Sequence, residues 1–362
     1  MGLFSRGGEI TEQAVLAALS TVQEPELGGD LVSRRMVKGV QIEGGAVRFT
    51  IELTTPACPL KDQIQSEAEA AVRKIPGVSE VGIEFTANTR RPAGIPEQAP
   101  IAGVANVIAV AAGKGGVGKS TVAANLAVAL AQEGARVGLL DADVFGPSLP
   151  LMFGVRGQPT AFQNEQGEAM MVPLEGHGIK LISVGFLIEE NQPVIWRGPM
   201  VSQLLRQFLY NVAWAPLDYL IIDMPPGTGD IALTLAQSLP LTGALIVTTP
   251  QAVATADVVK AMEMFKKVNV ELLGIIENMA YFVAPDTGTR YDIFGQGGAE
   301  RLSAQLGVPL LGQIPLGMAV RAGSDAGTPA VISDAPDAYG ELFREIARQL
   351  AARISVVKFA AA

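Results

Sequence analysis

The sequence is poorest in cysteine and histidine, two side chains that often bind metals. Among 362 residues there is one of each, Cys58 and His177. A single cysteine excludes a disulfide within the chain. The two residues together exclude a zinc finger, or any other tetrahedral Cys/His site that one chain builds alone.

Long apolar runs and a surplus of positive charge are also absent. No run reaches the 18 apolar residues of a membrane-spanning helix, and the opening MGLFSRGGEI lacks the apolar segment of a signal peptide. The net charge is −9, so the chain has no surplus of basic residues of the kind with which proteins bind nucleic acid. We therefore expect a cytoplasmic protein that binds neither membrane nor nucleic acid.

The first part of the chain, residues 1–86, predicts a small α+β domain. Its pattern indicates a helix over 10–22, a hairpin of two strands over 35–42 and 46–54, a second helix over 61–74 and a last strand over 78–85. Thr11 is the expected cap of the first helix. Residues 87–103 mix proline, glycine and polar residues without a period, which predicts a linker.

The remainder, residues 104–362, has a different pattern. Short apolar runs alternate with amphipathic stretches that predict helices, of which 119–132 is the clearest and about 337–353 the last. Such runs are typical of parallel strands covered by helices on both faces. The runs are VIAVAA, RVGLL, YLIID, ALIVTT, LLGIIEN and LLGQI. The predicted fold class is α/β, with a mostly parallel sheet sandwiched by helices.

A glycine-rich segment follows the first of these strands. GKGGVGKST, residues 113–121, matches the pattern G-x-x-x-x-G-K-[ST] and lies between a predicted strand and a predicted helix. Glycines let backbone N–H groups approach phosphate oxygens, and the helix N-terminus favours negative charge. We expect Lys119 to bridge the β- and γ-phosphates of a nucleotide, Ser120 to bind Mg²⁺ and Thr121 to reach the α-phosphate. This is a P-loop, and it predicts a P-loop NTPase.

Lys114 is a second lysine, at the outer edge of the same loop. It is poorly placed to fold back over its own nucleotide. One interpretation is that it reaches the phosphates of a facing subunit, as an arginine finger does in trans. The other is an ordinary solvated lysine, and the spacing alone leaves both open.

Three aspartates end predicted strands in this domain. Asp141 and Asp143 are one residue apart, and therefore on opposite faces as long as the chain stays extended. One of them would orient water or the metal shell. Asp223 ends the strand YLIID, where P-loop NTPases hold Mg²⁺ through a carboxylate. Helix capping is the alternative role for a strand-end aspartate.

The motifs together resemble one family. GKGGVGKST, with its extra lysine, is similar to the deviant P-loop of the MinD/ParA/nitrogenase-reductase class of ATPases. Within that class the chain resembles the Mrp/ApbC group of iron–sulfur cluster carrier proteins over roughly residues 9–350. The segments that carry this resemblance are DADVFGPS, WRGPM, DMPPGTGD, ENM, IFGQGG, IPLGMAVRAGSDAGTP and the T-x-x-x-C-P of the first domain.

The resemblance implies a homodimer with ATP near its interface, which favours action of Lys114 in trans. It implies that Asp143 positions the attacking water with support from Asp141, and that Asn278 contacts the adenine. The predicted catalytic residues are Lys114, Lys119, Asp141 and Asp143. The predicted nucleotide-binding residues are Gly113, Lys114, Gly115, Gly116, Val117, Gly118, Lys119, Ser120, Thr121 and Asn278, with Ser120 and Asp223 on Mg²⁺.

One departure from the family concerns the cluster ligands. Many Mrp proteins carry C-P-x-C-G after Asn-Met-x-Tyr-Phe, whereas this chain has Ala284 and Thr287 at those cysteine positions. Neither residue is an iron ligand, because clusters are held by thiolates. Cys58 is then either a thiolate ligand that its helix N-terminus activates, or a small buried hydrophobe.

The function that the resemblance implies is an ATP-binding and ATP-hydrolysing carrier that passes iron–sulfur clusters to apoproteins. The alternative is a regulatory or positioning ATPase of the MinD/ParA kind that binds no cluster. MinD-type proteins end in a basic amphipathic membrane helix. Here the last predicted helix mixes acidic and basic residues, which disfavours the alternative.

Overall fold

The structure is a computed structural model that describes residues 10–24, 29–53, 58, 60–87, 99–188, 198–332 and 339–360. The chain divides into two compact units, residues 1–90 and 91–362. Most of the predicted linker, residues 88–98, lies outside the described residues, as do Trp196 and Arg197 of the WRGPM motif.

The first unit is a three-stranded sheet with two helices. Its elements are α1 (Glu12–Leu19), β1 (Val37–Glu43), β2 (Ala46–Leu53), α2 (Lys61–Val72) and β3 (Glu80–Ala87). β2 is central, antiparallel to β1 and parallel to β3. Thr11 caps α1 as predicted, because its Oγ1 accepts a hydrogen bond from the Ala14 N–H at 3.2 Å.

The core of this unit forms where alternate residues of β2 meet the apolar faces of α1 and α2. Val15, Phe49, Ile51 and Ile64 are almost fully buried. Cys58 precedes α2, is partly buried and packs against this core. The residues on either side of it, 54–57 and 59, lie outside the described residues.

The second unit is a layered α/β fold. Its strands are β4 (Val104–Ala112), β5 (Val137–Asp141), β6 (Ala161–Gln163), β7 (Ala169–Met171), β8 (Leu174–Gly176), β9 (Ile179–Ser183), β10 (Leu217–Asp223), β11 (Gly243–Thr248), β12 (Leu272–Val283), β13 (Arg290–Tyr291) and β14 (Leu310–Leu316). Its helices are α3 (Lys119–Gln132), α4 (Leu149–Phe153), α5 (Gly198–Tyr210), α6 (Asp230–Ser238), α7 (Ala252–Lys267), α8 (Gly298–Leu306), α9 (Met318–Ala326) and α10 (Tyr339–Ala360).

Nine described strands form the main sheet of this unit, in the order β13-β12-β11-β4-β10-β5-β9-β8, with β14 also paired to β12. β8 and β13 run antiparallel at the two ends, and the other pairs are parallel. The predicted α/β fold with a mostly parallel sheet is confirmed. The six apolar runs form β4, β5, β10, β11, β12 and β14, and α3 has the predicted bounds.

The strand register places the predicted site residues at one edge. Asp223 of β10 lies opposite Asp141 of β5 on one side and Val110 of β4 on the other. β4 continues two residues further and enters the loop at Gly113. Because parallel strands end at the same edge, residues far apart in sequence meet there.

The last helix is longer than predicted and is part of the domain core. It continues to Ala360 because Ile354 and Ser355 remain buried, and the Ser355 hydroxyl bonds the Ala351 carbonyl at 3.1 Å. Phe343, Ile346 and Leu350 are also buried on this helix. Across the described ranges, no helix combines the length and apolarity needed to cross a membrane.

Candidate functional site

The glycine-rich loop has the backbone conformation of a phosphate cradle. β4 ends at Ala112, and α3 begins at Lys119 with Gly118 as its cap. Gly118 has φ = +81°, a left-handed conformation that favours glycine. At Gly113 a Cβ would overlap the backbone of Asp257 on α7. These two positions therefore require glycine for different reasons, backbone conformation at one and close approach at the other.

The centre of the site is a buried ion pair. Lys119 Nζ lies 2.5 Å from Asp223 Oδ1, and these side chains are 6% and 0% exposed. Lys119 Nζ also lies 3.3 Å from the Ser120 hydroxyl. The structure thus brings together the P-loop lysine and the strand-end aspartate, which are 104 positions apart in sequence.

Asp223 retains one buried oxygen, Oδ2, that has no hydrogen-bond partner among the described residues. A buried polar atom without a partner is costly, which makes this oxygen a candidate ligand for a group that binds here. A carboxylate and a hydroxyl are oxygen donors of the kind that Mg²⁺ prefers. Ser120 and Asp223 therefore fit the predicted metal role chemically.

Asp141 is fully buried beside this pair and is held by three hydrogen bonds. Its Oδ2 accepts from the Ser183 hydroxyl at 2.9 Å and from the Leu149 N–H at 3.4 Å, and its Oδ1 accepts from the Asp143 N–H at 3.2 Å. Burial, followed by the charge of Asp223, raises the pKa of Asp141 to about 7. The carboxyl group therefore binds a proton far more readily than an exposed aspartate.

Asp143 lies beyond the end of β5, so the alternation of side chains along an extended strand does not apply to it. It is partly buried. Burial raises its pKa, Lys119 opposes that shift and Asp223 adds to it. Asp141 and Asp143 thus both interact with the Lys119–Asp223 pair, rather than facing away from each other.

The other predicted residues lie on the loop or next to it. Asn278 is buried and directly follows the β12 residues that pair with β11, and its Nδ2 donates to the Val117 carbonyl at 2.9 Å. Lys114 is partly exposed, and Gly115 and Gly116 are exposed. The adenine role of Asn278 and the trans role of Lys114 stay predictions.

Ser183 is the residue of this site that sequence reasoning missed. It ends β9, a strand that the sequence analysis did not predict. The available signal was weak, because IKLIS is a short run beside the single histidine. Pairing with β5 brings Ser183 opposite Asp141, so its contribution depends on the sheet order.

The segment that replaces the family's cysteine pair is a closed turn between β12 and β13. The Ala284 N–H donates to the Thr289 carbonyl at 2.9 Å, and the Gly288 N–H donates to the Ala284 carbonyl at 2.8 Å. The turn is held by backbone hydrogen bonds and offers no thiolate, because residues 91–362 contain no cysteine.

The sequence model described as NUBPL iron-transfer P-loop NTPase, of the ParA type, matches residues 103–351. This chain belongs to that family. The iron–sulfur cluster assembly protein model matches residues 12–85, so the NUBPL-type NTPase domain is joined here to a second recognised domain.

Two relatives are similar in sequence to this NUBPL-type chain over nearly its whole length. It is 51% identical to an iron–sulfur cluster carrier protein from Synechocystis sp. over 96% of this chain and 99% of that protein. It is 50% identical to an iron–sulfur cluster carrier protein from Deinococcus radiodurans over 95% of each. A nucleotide-binding protein from Archaeoglobus fulgidus, solved in complex with ADP, is 40% identical and covers 66% of this chain and 92% of its own, with a TM-score of 0.56.

Proposed function

We propose that this protein is an ATP-hydrolysing carrier that binds iron–sulfur clusters and transfers them to apoproteins. The observation that carries the proposal is the P-loop site itself, with Lys119 and Asp223 buried together, in a chain whose first unit matches an iron–sulfur assembly domain. Relatives that share nearly the whole chain are named as cluster carriers, which supports the same conclusion.

ATP binding would use the backbone of residues 113–121. The N–H groups of the loop and the N-terminus of α3 attract the phosphates. Lys119 then exchanges its carboxylate partner for the β- and γ-phosphates. Thr121 contacts the α-phosphate. Asn278 lies beside the loop, where its Oδ1 accepts from the 6-amino group of adenine.

Hydrolysis needs a group that orients water. Asp143 is our candidate, because burial raises the pKa of its carboxyl group and makes it a better proton acceptor. Asp141 supports it by accepting the Asp143 backbone N–H. Ser120 and Asp223 would hold Mg²⁺, which neutralises charge on the β- and γ-phosphates when bound.

The active form is proposed to be a homodimer in which Lys114 reaches the nucleotide of the facing subunit. Its partial exposure at the loop supports this role. An additional cation in trans stabilises the charge that develops on the transferred phosphoryl group. The dimer also supplies two copies of Cys58.

Cys58 is proposed as the cluster ligand that this chain contributes. Iron–sulfur clusters commonly take four thiolates, so two copies of the chain supply half of them. Thiols of the apoprotein client, or of glutathione, complete the set and then take over the cluster. A thiol with this role requires a reducing compartment, so we place the protein in the cytoplasm.

The contacts of α10 give the MinD/ParA-like alternative less support. The apolar face of α10 is used inside the domain, where Phe343 and Leu350 are buried. On its polar side Arg348 pairs with Glu133 at 2.8 Å and Glu341 at 2.9 Å. Because these groups are already engaged, α10 is a poor membrane anchor.

The domain division at 1–86, 87–103 and 104–362 also remains a proposal. Separate family matches at 12–85 and 103–351 support it. Expression of residues 1–86 and 104–362 as separate proteins should give two independently melting units.

Anaerobic reconstitution of the full chain with iron and sulfide tests the carrier function. We expect a charge-transfer absorbance band that disappears in Cys58→Ser and persists in Lys119→Ala. Mixing the loaded protein with an apo-ferredoxin should transfer the band to the ferredoxin. Absence of any band in the wild-type protein would contradict the carrier function and favour the regulatory ATPase.

A further inference from the structure

The P-loop is held from outside by a residue in the middle of β12. Asn278 Nδ2 donates to the carbonyl of Val117, the residue before the helix cap Gly118, at 2.9 Å. Asn278 and Val117 are 7% and 2% exposed, so little water can reach this carbonyl to replace the amide as its hydrogen-bond donor. The approach is so close that a Cβ on Gly118 would overlap Asn278 Nδ2.

The backbone next to Asn278 is in an uncommon conformation. Met279 has φ = +54°, in the left-handed region that non-glycine residues rarely adopt. The pairing of β12 with β14 shifts register between Asn278 and Phe282. The terminal carbon of Met279 also lies 3.6 Å from the position that a Cβ on Gly118 would occupy. A strained residue persists only where the surrounding structure determines it, and here the neighbouring Asn278 is hydrogen-bonded to the P-loop.

The residue before Asn278 anchors this part of β12 to two other elements. Glu277 is 1% exposed and accepts the Ala299 N–H of α8 at 2.9 Å and the Gln313 side-chain amide of β14 at 2.7 Å. Glu277 is therefore hydrogen-bonded to two further elements of the domain, α8 and β14. Residues 277–279 form what we call the brace.

We propose that Asn278, anchored by the brace, is a positioning residue that holds the P-loop in its phosphate-binding conformation. This inference rests on the proposed ATP-binding function and assigns Asn278 a role that is independent of the base. Without the amide, the Val117 carbonyl is left without its partner and the N–H groups of the loop are less well oriented. Every ligand with a polyphosphate chain should then bind more weakly, whether or not it carries adenine.

Calorimetry of the full chain with Mg-ATP and with Mg-tripolyphosphate, which has no base, tests this role. We expect Asn278→Ala to weaken binding of both ligands by about 5- to 10-fold, which is the usual effect of one hydrogen bond. If Asn278 acts only on the base, ATP affinity falls while tripolyphosphate affinity stays unchanged, and the brace is refuted.

Asn106→Ala is the matched control. Asn106 is 1% exposed and donates from Nδ2 to the Asp218 carbonyl at 2.9 Å, but it lies near the opposite end of β4 from the P-loop. It should lower the melting temperature without changing tripolyphosphate affinity. An equal loss of affinity in Asn106→Ala would show that the effect is general destabilisation, and would overturn the proposal.

Thermal melting of each variant without nucleotide checks that it folds. If Asn278→Ala does not fold, Asn278→Ser replaces it, since serine is smaller yet polar and its hydroxyl is too short to keep the bond. The same loss of tripolyphosphate affinity is expected. A wild-type protein that binds neither ligand would overturn the ATP-binding function and the brace together, whereas wild-type binding with an unaffected serine variant would overturn the brace alone.

Discussion

The two units of the molecule present their reactive groups in contrasting surroundings. In residues 91–362 these groups lie at the P-loop, and in residues 1–90 the group is the thiol of Cys58. At the P-loop, Lys119, Asp141, Asp143 and Asp223 come from one loop and two strand ends, and their charges act on one another. Cys58 packs against the apolar side chains of a small core. The nucleotide site is therefore nearly complete within one chain, whereas a cluster needs thiolates that one chain does not have.

This difference has a functional consequence. A site assembled from buried, mutually dependent charges is sensitive to single substitutions, because each removal leaves another charge uncompensated. A lone thiol gains its role only when other molecules bring further thiols. We therefore expect nucleotide chemistry to depend on many residues of this chain, and cargo binding to depend on one residue and on the partner.

The largest expected effect is that of Lys119→Ala, which should abolish ATP hydrolysis. The substitution removes the cation for the phosphates and leaves Asp223 buried without its ion pair. Loss of one such electrostatic contact typically lowers turnover by about 10²–10³-fold, and weaker binding adds to this. A phosphate-release assay measures it, with the exposed Lys266→Ala as control. Unchanged turnover would show that the buried pair is not part of the nucleotide site.

Lys114→Ala should come next, with a fall in turnover of about 10³-fold at most, which is the lower range for a cation supplied in trans. The subunit should fold and bind nucleotide normally, because Lys114 is partly exposed at the loop edge. Turnover per subunit measured against protein concentration checks this. The wild-type value should rise with dimer formation, while that of the variant stays low. Full activity of the variant at all concentrations would remove the trans role.

Asp143→Asn should lower kcat by about 10²-fold, the lower range for loss of general-base catalysis. The KM for ATP should stay close to the wild-type value, because we assign Asp143 to water and not to the phosphates. Steady-state kinetics separate the two constants, and Asp325→Asn on the exposed face of α9 serves as the control. A change in KM without a change in kcat would assign Asp143 to binding instead.

The smallest effect concerns the pH dependence of stability. The Asp141 pKa is about 7 in the folded chain against 3.8 ordinarily, so the folded state holds this proton more tightly than the unfolded state. Its stabilising contribution is present in full below about pH 4 and is lost as the pH rises through about 7. Between pH 5 and 8 the melting temperature of the nucleotide-free wild type should therefore fall by about 2–6 °C relative to Asp141→Asn. If the melting temperatures of the wild type and of Asp141→Asn changed in parallel with pH across that range, Asp141 would be charged in the folded protein.

The site was predictable from sequence where local patterns carry the chemistry. The segment 113–121 contains both the glycines of the loop and Lys119, and Asp223 ends an unmistakable buried strand. The bounds of α3 were also predictable, since apolar periodicity and a preceding glycine determine them locally. The short strands β8, β9 and β13 were not, because two to five residues carry too little pattern to distinguish a strand from a loop.

The sequence by itself determined the parallel α/β sheet, the P-loop and the scarcity of thiols, because these follow from apolar period, glycine spacing and a count of cysteines. Only the tertiary structure decided that Lys119 is paired with Asp223, that Asp141 is held by Ser183 and that Asn278 supports Val117. Each of these contacts joins residues from different elements of the domain. Their meeting depends on strand order and burial, which act over the whole domain and leave no local pattern in the chain.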